Sequence, residues 1–177
     1  MTLSNSELLD PFSQLEQDHL EVDELFDQYS ELQAEKADGL DDLKREIVQT
    51  ICDKLNLHSQ LEEEIIYPAL GAALDQPELI EDAKADHSYA AELISHLEAM
   101  DPSDGAFDDT VQQLMQEVRD HVLTEESEIF PLARESGLDM EMLAMSLQRR
   151  RGELEPQLPG EDDDPSQASD RDQSARF

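Results

Sequence analysis

Four long segments of this chain carry apolar residues at steps of three and four, and one histidine interrupts each apolar stripe near its middle. This spacing is typical of helices that bury one face against a core. Glycine is scarce and runs of β-branched residues are absent, which also favours helix. Four long helices joined by short loops predict an all-α fold, an up-down-up-down four-helix bundle.

The segments cover about residues 11–37, 40–70, 77–100 and 104–135, and a short fifth C-terminal helix is expected over about 138–151. Beyond Gly152 the chain holds three prolines among acidic residues and serines, a composition that predicts a disordered acidic tail. The predicted domains are therefore a bundle over residues 1–152 and a tail over 153–177.

The spacing of the histidines places them at one depth in such a bundle. His19 and His58 are equidistant from the turn at residues 38–39, and the midpoints of the next two intervals, His58 to His87 and His87 to His121, also fall in loops. Each helical residue rises about 1.5 Å, so residues equidistant from a turn lie at the same level of antiparallel helices. The four histidines are therefore expected in one layer of the core.

Two glutamates share the inward face with these histidines. Glu62 follows His58 by four residues and Glu125 follows His121 by four, which keeps each pair on one side of its helix. Their stripes are expected to continue through four further apolar residues: Ile65, Ala69, Ile129 and Leu132. Because the stripes contain no lysine or arginine, a buried carboxylate here needs another partner, such as a metal ion.

An internal repeat supports the same interpretation. The segment HSQLEEEIIYP, residues 58–68, is identical at five of eleven positions to HVLTEESEIFP, residues 121–131. Each half of the chain thus offers one histidine and then His-x-x-x-Glu. Four imidazoles and two carboxylates form a suitable shell for two adjacent metal ions, and this ligand chemistry suits iron, manganese or zinc.

Other residues of these segments receive structural interpretations. His96 lies nine residues after His87, about half a turn around the helix, and is expected to face solvent. Tyr67 is interpreted as a packing residue. Pro68 and Pro131 are expected to kink or end their helices, because proline removes a helical hydrogen bond. The arginine run at 149–151 is expected to favour a helix C-terminus.

The doubled His-x-x-x-Glu-Glu with a following aromatic residue and proline resembles the hemerythrin family, specifically the hemerythrin-like HHE cation-binding domains. The resemblance covers about residues 12–135. It implies a non-heme di-iron centre, with oxo or hydroxo and carboxylate bridges, held in a four-helix bundle. The implied cofactor is two iron ions, with manganese or zinc less favoured. Carried over residue by residue, the implied metal ligands are His19, His58, Glu62, His87, His121 and Glu125.

Two departures from oxygen-carrying hemerythrins narrow the function that this resemblance implies. The carriers have a second histidine four residues after the one on the third helix, where this chain has Ala91. They take the last carboxylate five residues after the final histidine, which would be Glu126, whereas the internal repeat favours Glu125. The gap at Ala91 favours a di-iron protein that binds or reduces a small oxidant: dioxygen, peroxide or nitric oxide.

Alternative functions stay open on sequence grounds. One is iron handling, in which labile iron is bound for storage, delivery or sensing. Another is a non-redox structural bundle that holds zinc or manganese. Whether the protein turns over as an enzyme is also left open.

The charge excludes several classes of partner. With 45 acidic and 12 basic residues the net charge is −33, so no basic face is available for nucleic acid or for an anionic membrane. One cysteine excludes a disulfide framework and a cysteine-rich metal site. The absence of a long apolar segment and of a signal-like start leads us to expect a cytoplasmic protein. The acidity resembles that of cytoplasmic proteins from salt-accumulating halophiles.

Overall fold

The computed structural model describes residues 10–35 and 39–155. Its regular secondary structure is helical throughout these residues, and the first four of its five helices form an up-down-up-down bundle, which confirms the predicted fold class. The helices, in order, are Pro11–Ala34; Asp41–Leu61, continuing through a π turn at Glu62–Ile66 into Tyr67–Ala73; Pro77–Ala99; Phe107–Thr124, continuing through a π turn at Glu125–Ile129 into Phe130–Glu135; and Met140–Leu154.

Local sequence sets where several helices begin. Asp10 caps the first helix by accepting a hydrogen bond from the backbone N–H of Phe12 at 3.1 Å, and proline follows at the first helical position. Asp139 caps the fifth helix in the same way through Met142. Gly137 precedes that cap with a φ of 79°, a left-handed conformation that glycine adopts without strain.

The π turns show that Pro68 and Pro131 do not end their helices, which was one of the two outcomes expected of them. Each proline lies just after a π turn and the helix continues past it. In the wider turn the N–H of Tyr67 bonds to the carbonyl of Glu62, five residues back, and Phe130 bonds likewise to Glu125. A proline ring clashes with the carbonyl four residues before it in a regular helix, and the wider turn relieves that clash.

The inserted residue in each π turn also shifts the buried face by one position. Ile66 and Leu70 are fully buried where Ile65 and Ala69 were expected to be. In the fourth helix Ile129 is buried as expected, but Ala133 takes the place predicted for Leu132. Ile65, Ala69 and Leu132 are only partly buried, because their prediction assumed a uniform period of 3.6 residues.

The apolar core consists of two parts. An upper cluster joins the ends of the helices nearest the first and third loops; its largest members are Phe26, Tyr29, Ile51, Phe107 and Leu114. A lower cluster lies at the opposite end and includes Phe12, Leu15, Tyr67, Phe130 and, from the fifth helix, Leu147. The buried polar residues lie between the two clusters, at the level of the four histidines. Cys52 is buried in the upper cluster as a free thiol.

The predicted boundary between bundle and tail falls inside the fifth helix, which continues to Leu154. The rest of the predicted disordered tail, residues 156–177, lies outside the described residues. Among the helices that are described, none is both long enough and apolar enough to cross a bilayer.

Candidate metal centre

The structure brings the four core histidines together in one layer, each from a different bundle helix. The Nε2 atoms of His19 and His58 lie 3.2 Å apart, and those of His87 and His121 lie 3.1 Å apart. All four residues are buried. Two nitrogens that bind the same ion at about 2.1 Å, with an N–metal–N angle of about 90°, are about 3 Å apart. The spacing within each histidine pair therefore suits one shared ion. His96, by contrast, is exposed as predicted.

Two glutamates close the histidines into a ring. Glu62 Oε2 lies 3.2 Å from Nε2 of both His58 and His87, and Glu125 Oε2 lies 3.4 Å from Nε2 of both His19 and His121. Each carboxylate therefore links one histidine pair to the other. We call these six residues the His/Glu ring; they form two groups with the spacing of metal ligands, and Glu62 belongs to both.

Two oxygens of the ring have no hydrogen-bond partner among the described residues, although both glutamates are fully buried. They are Glu62 Oε1 and Glu125 Oε2, the second of which has histidine nitrogens at 3.4 Å but in no hydrogen-bonding geometry. Leaving a buried carboxylate oxygen unpaired costs free energy, and a cation is the partner that satisfies it. The ring thus fits a pair of metal ions with nitrogen and oxygen ligands.

An outer set of carboxylates holds the histidine rings from behind. The Nδ1 atom of each ring faces one of them: Glu126 at 2.8 Å from His19, Asp18 at 3.4 Å from His58, Glu63 at 3.1 Å from His87, and Asp86 at 3.3 Å from His121. Such carboxylates fix the tautomer and orientation of a metal-binding histidine, so that Nε2 points at the metal.

This outer set bears on the choice between Glu125 and Glu126. Glu125 is fully buried within the ring, whereas the Glu126 side chain is 42% exposed and contacts the outward nitrogen of His19. Sequence reasoning did not assign Asp18 and Asp86 to this role. The signal that could have found them was the Asp-His pair shared by the first and third helices.

In the absence of metal, the surroundings of the ring favour protonated His58 and His121 and ionised Glu62 and Glu125. Burial alone would lower the pKa of His58, but the charge of Glu62 and hydrogen bonds with Asp18 and Glu62 outweigh it and raise that pKa to about 10. Burial alone would also lower the pKa of His121, but its interactions with Glu125 and Glu62 outweigh burial and raise that pKa to about 9. Burial acts to raise the pKa values of Glu62 and Glu125, yet their histidine contacts hold both below the ordinary value.

Tyr67 reaches the ring, which the interpretation as a packing residue missed. Its hydroxyl donates to Glu125 Oε1 at 2.9 Å and lies 3.3 Å from His87 Nε2. Burial and the two glutamate charges raise its pKa, so the phenol stays protonated and remains a donor. The repeat shows an aromatic residue at this position, but the corresponding residue in the other half is Phe130, which has no hydroxyl.

A cavity of about 100 Å³ lies against the ring on the side of the upper cluster. All four histidines line it, together with apolar side chains, among them Val22, Leu55, Ile94 and Val118. Ala90 and Ala91 of the third helix also line this cavity. The space therefore joins the inner faces of the imidazoles to a predominantly apolar chamber.

Comparison with known families agrees with this geometry. The family described as the hemerythrin HHE cation binding domain matches residues 10–133. This chain belongs to that family. The match covers all four bundle helices up to Ala133 and every residue of the His/Glu ring, and it leaves the fifth helix outside. The chain is thus an HHE cation-binding domain with buried His/Glu metal-binding clusters, in an arrangement consistent with a di-metal site.

Two individual proteins resemble parts of this HHE domain. The crystal structure of a hemerythrin HHE cation binding domain-containing protein from Mycobacterium kansasii matches with a TM-score of 0.68 and 21% identity, over 82% of this chain and 86% of that chain. That likeness is one of fold. A DNA nickase from Nostoc is 29% identical over 109 residues, which is 60% of this chain. The chain spans about a third of that relative, 31% of its length.

Proposed function

We propose that the His/Glu ring holds two iron ions and that the protein binds or reduces a small oxidant, namely dioxygen, peroxide or nitric oxide. The four histidines and Glu62 and Glu125 would hold the ions. When bound, an iron pair supplies electrons and a coordination position for such a molecule.

The observation that carries this proposal is the cavity beside the ring. Its volume of about 100 Å³ suits a molecule of a few atoms, and its mainly apolar walls favour a neutral one. Ala91 lines this cavity, so the position where carriers have an additional histidine leaves space beside the ring. The residues of the upper cluster that line the chamber also limit how much water it holds.

The residues in and around the ring have different roles toward the metal ions. Glu62 and Glu125 each contact two histidines and would offset the charge of the ions. The outer carboxylates fix the imidazoles, and the Tyr67 hydroxyl orients Glu125. Tyr67 belongs to the lower cluster and does not line the cavity, so its hydroxyl acts on the ring from the side opposite the proposed oxidant position.

The first experiment measures metal content and the visible spectrum of the purified protein, first without air and then in air. Two irons per chain and charge-transfer bands that appear on oxidation support the proposal. Weakly held iron with no response to air would favour iron handling instead. A colourless protein whose melting temperature depends on zinc or manganese would favour the structural alternative.

A cavity-filling variant then separates oxidant access from metal binding. Ala90→Leu places a larger side chain in the chamber, and we expect two irons to remain bound while reoxidation by air slows about tenfold. The matched control is Ala85→Leu, the same substitution at an exposed position of the same helix. Unchanged reoxidation in Ala90→Leu would count against this cavity as the route.

The name of the Nostoc relative does not lead us to propose a nucleic-acid substrate. The net charge of −33 would repel a phosphate backbone, and nucleic-acid binders depend on lysine and arginine to neutralise phosphates. We therefore expect the iron-loaded protein neither to bind nor to nick a supercoiled plasmid at physiological salt. Nicking that the His58→Ala variant loses would overturn this expectation.

A further inference from the structure

The fifth helix brings two consecutive arginines against the bundle on one side of the ring. Arg151 donates from Nη2 to Asp18 Oδ2 at 2.5 Å, and that same oxygen lies 3.4 Å from Nδ1 of His58. Arg150 binds both carboxylate oxygens of Glu64, at 2.6 and 3.1 Å. Arg151 is therefore the outermost member of a chain of contacts that runs through Asp18 and His58 into the ring.

The contact between Arg151 and Asp18 is sheltered from solvent. Their side chains are 22% and 19% exposed, whereas the neighbouring Arg149 is 79% exposed. Charge-assisted hydrogen bonds are short and strong, and partial burial reduces their screening. We therefore expect this contact to stabilise the fold more than an exposed surface ion pair does.

Apolar packing fixes the fifth helix independently of these arginines. Leu147 is fully buried in the lower cluster and Ala144 is almost fully buried. The helix begins at a capped position, Asp139, and continues to Leu154. The packing of this helix therefore fixes the position of Arg151 beside Asp18.

The other half of the ring has no equivalent of this arginine. Asp86 contacts His121 as Asp18 contacts His58, but in the described parts of the chain no lysine or arginine pairs with Asp86. Glu117 lies near Asp86 instead, and burial followed by the charge of Asp86 raises the pKa of Glu117. The two histidine pairs thus have similar inner geometry and different outer support.

We propose that Arg151 is a positioning residue for His58: through Asp18 it fixes the imidazole with Nε2 toward the ring, so that the His19/His58 pair releases its metal ion more slowly than the His87/His121 pair. This inference rests on the metal-binding part of the proposed function, and it holds whichever oxidant reacts there. The arginine charge acts against a nearby cation, but its pairing with Asp18 offsets that charge, and orientation of the ligand has the larger effect.

The test measures release of ferrous iron to a chelator without air, from the full chain. The wild-type protein should lose its two irons in a fast and a slow phase of one equivalent each. Arg151→Ala should accelerate the slow phase about tenfold and leave the fast phase unchanged, since removal of an outer partner typically weakens metal binding by 10–100-fold. Arg151→Lys should restore part of the slow phase.

The matched control is Arg150→Ala, which removes an arginine of the same helix from a carboxylate that contacts no histidine in the described structure. It should leave both phases within about twofold of wild type. If Arg150→Ala accelerates the slow phase as much as Arg151→Ala, the arginines only dock the helix and the inference is wrong. A single common release rate for both wild-type irons would also overturn it.

A second readout needs no metal and separates this inference from the proposed function. In the metal-free protein, ring-nitrogen NMR should show a shifted Nδ1 resonance for His58 in Arg151→Ala, with that of His121 unchanged. If the wild-type protein binds no iron yet His58 responds in this way, the proposed function fails while the positioning role stands. If His58 does not respond, the positioning role is wrong.

Discussion

The two halves of the chain are alike at the His/Glu ring and differ in the layer around it. Within the ring, each half supplies two histidines and one glutamate with inner distances between 3.1 and 3.4 Å. Outside it, Asp18 is paired with Arg151, whereas no arginine or lysine in residues 10–35 and 39–155 pairs with Asp86. Tyr67 in one half corresponds to Phe130 in the other. A repeated motif therefore sets the metal ligands, and its surroundings make the two positions unequal.

The aromatic pair shows how one atom creates such a difference. Tyr67 stacks on His87 and adds a hydroxyl that donates to Glu125, whereas Phe130 stacks on His19 at an interplanar angle of 9° and donates nothing. Both side chains fill the lower cluster. The packing role is shared by the two halves, and the polar role belongs to one of them.

The largest expected effect tests what the halves have in common. His58→Ala and His121→Ala each remove one imidazole ligand from the His/Glu ring, so each variant should lose most of the bound metal. Elemental analysis measures this loss as metal per chain. His96→Ala is the control, because that histidine is exposed and remote from the ring layer. Equal metal loss in all three variants would contradict the assignment of the ring.

The next prediction separates the halves by pH in the metal-free protein. The pKa of His121 rises to about 9 and that of His58 to about 10, from an ordinary value of 6.5. A raised histidine pKa stabilises the fold below 6.5 and ceases to do so as pH passes the folded value. The melting temperature should therefore fall between about pH 6.5 and 10, with His121 losing its proton first.

Metal loading supplies the control for this pH dependence. Ligating imidazoles are neutral, so the loaded protein should show a much smaller fall over the same range. Ring-nitrogen NMR of the metal-free protein can follow the two histidines separately. A melting temperature that rises with pH in the metal-free protein would refute the prediction.

A smaller effect comes from making the aromatic positions alike. Tyr67→Phe removes the hydrogen bond to a buried carboxylate, and we expect the free energy of unfolding of the metal-free protein to fall by about 1–3 kcal/mol in urea. Tyr89→Phe changes a half-exposed tyrosine and should alter it by less than about 0.5 kcal/mol. Equal effects of the two variants would show that the Tyr67 hydroxyl adds no stability.

The smallest difference between the halves is expected from salt, which acts on the whole acidic surface. A net charge of −33 is self-repulsive, and salt screens it. The melting temperature should rise by several degrees as sodium chloride increases into the molar range, with little change in the ratio of the two iron-release rates. A flat or falling melting temperature would contradict the halophile interpretation.

The histidine layer could be predicted because it depends on the helical rise and on the midpoints of short loops. The midpoint between His58 and His87 falls at the end of the Tyr67–Ala73 helix, beside the second loop, and the layer still forms. The exposed position of His96 followed from the same periodicity. Ile66, Leu70 and Ala133 could not be placed, because each π turn adds a residue to the period just before them. The prolines marked those turns, but a missing hydrogen bond does not by itself distinguish a break from a widened turn.

Arg151 and Tyr67 lay beyond prediction for a different reason. The arginine run was interpreted by its place at a helix end, and only the docking of the fifth helix shows that one of the three faces Asp18. Tyr67 occupies a position shared with a phenylalanine, so the pattern indicated packing. Contacts between distant segments decide both roles.

The division of the core into an upper and a lower cluster has a consequence for cooperativity. Without metal, the ring between the clusters is a polar layer with unpaired carboxylate oxygens, and little apolar contact joins the two ends of the bundle across it. Each end can then open as a separate unit, which hydrogen exchange would detect as two levels of protection. Metal ions that bind ligands from all four helices would couple these units, so the loaded domain should unfold as one.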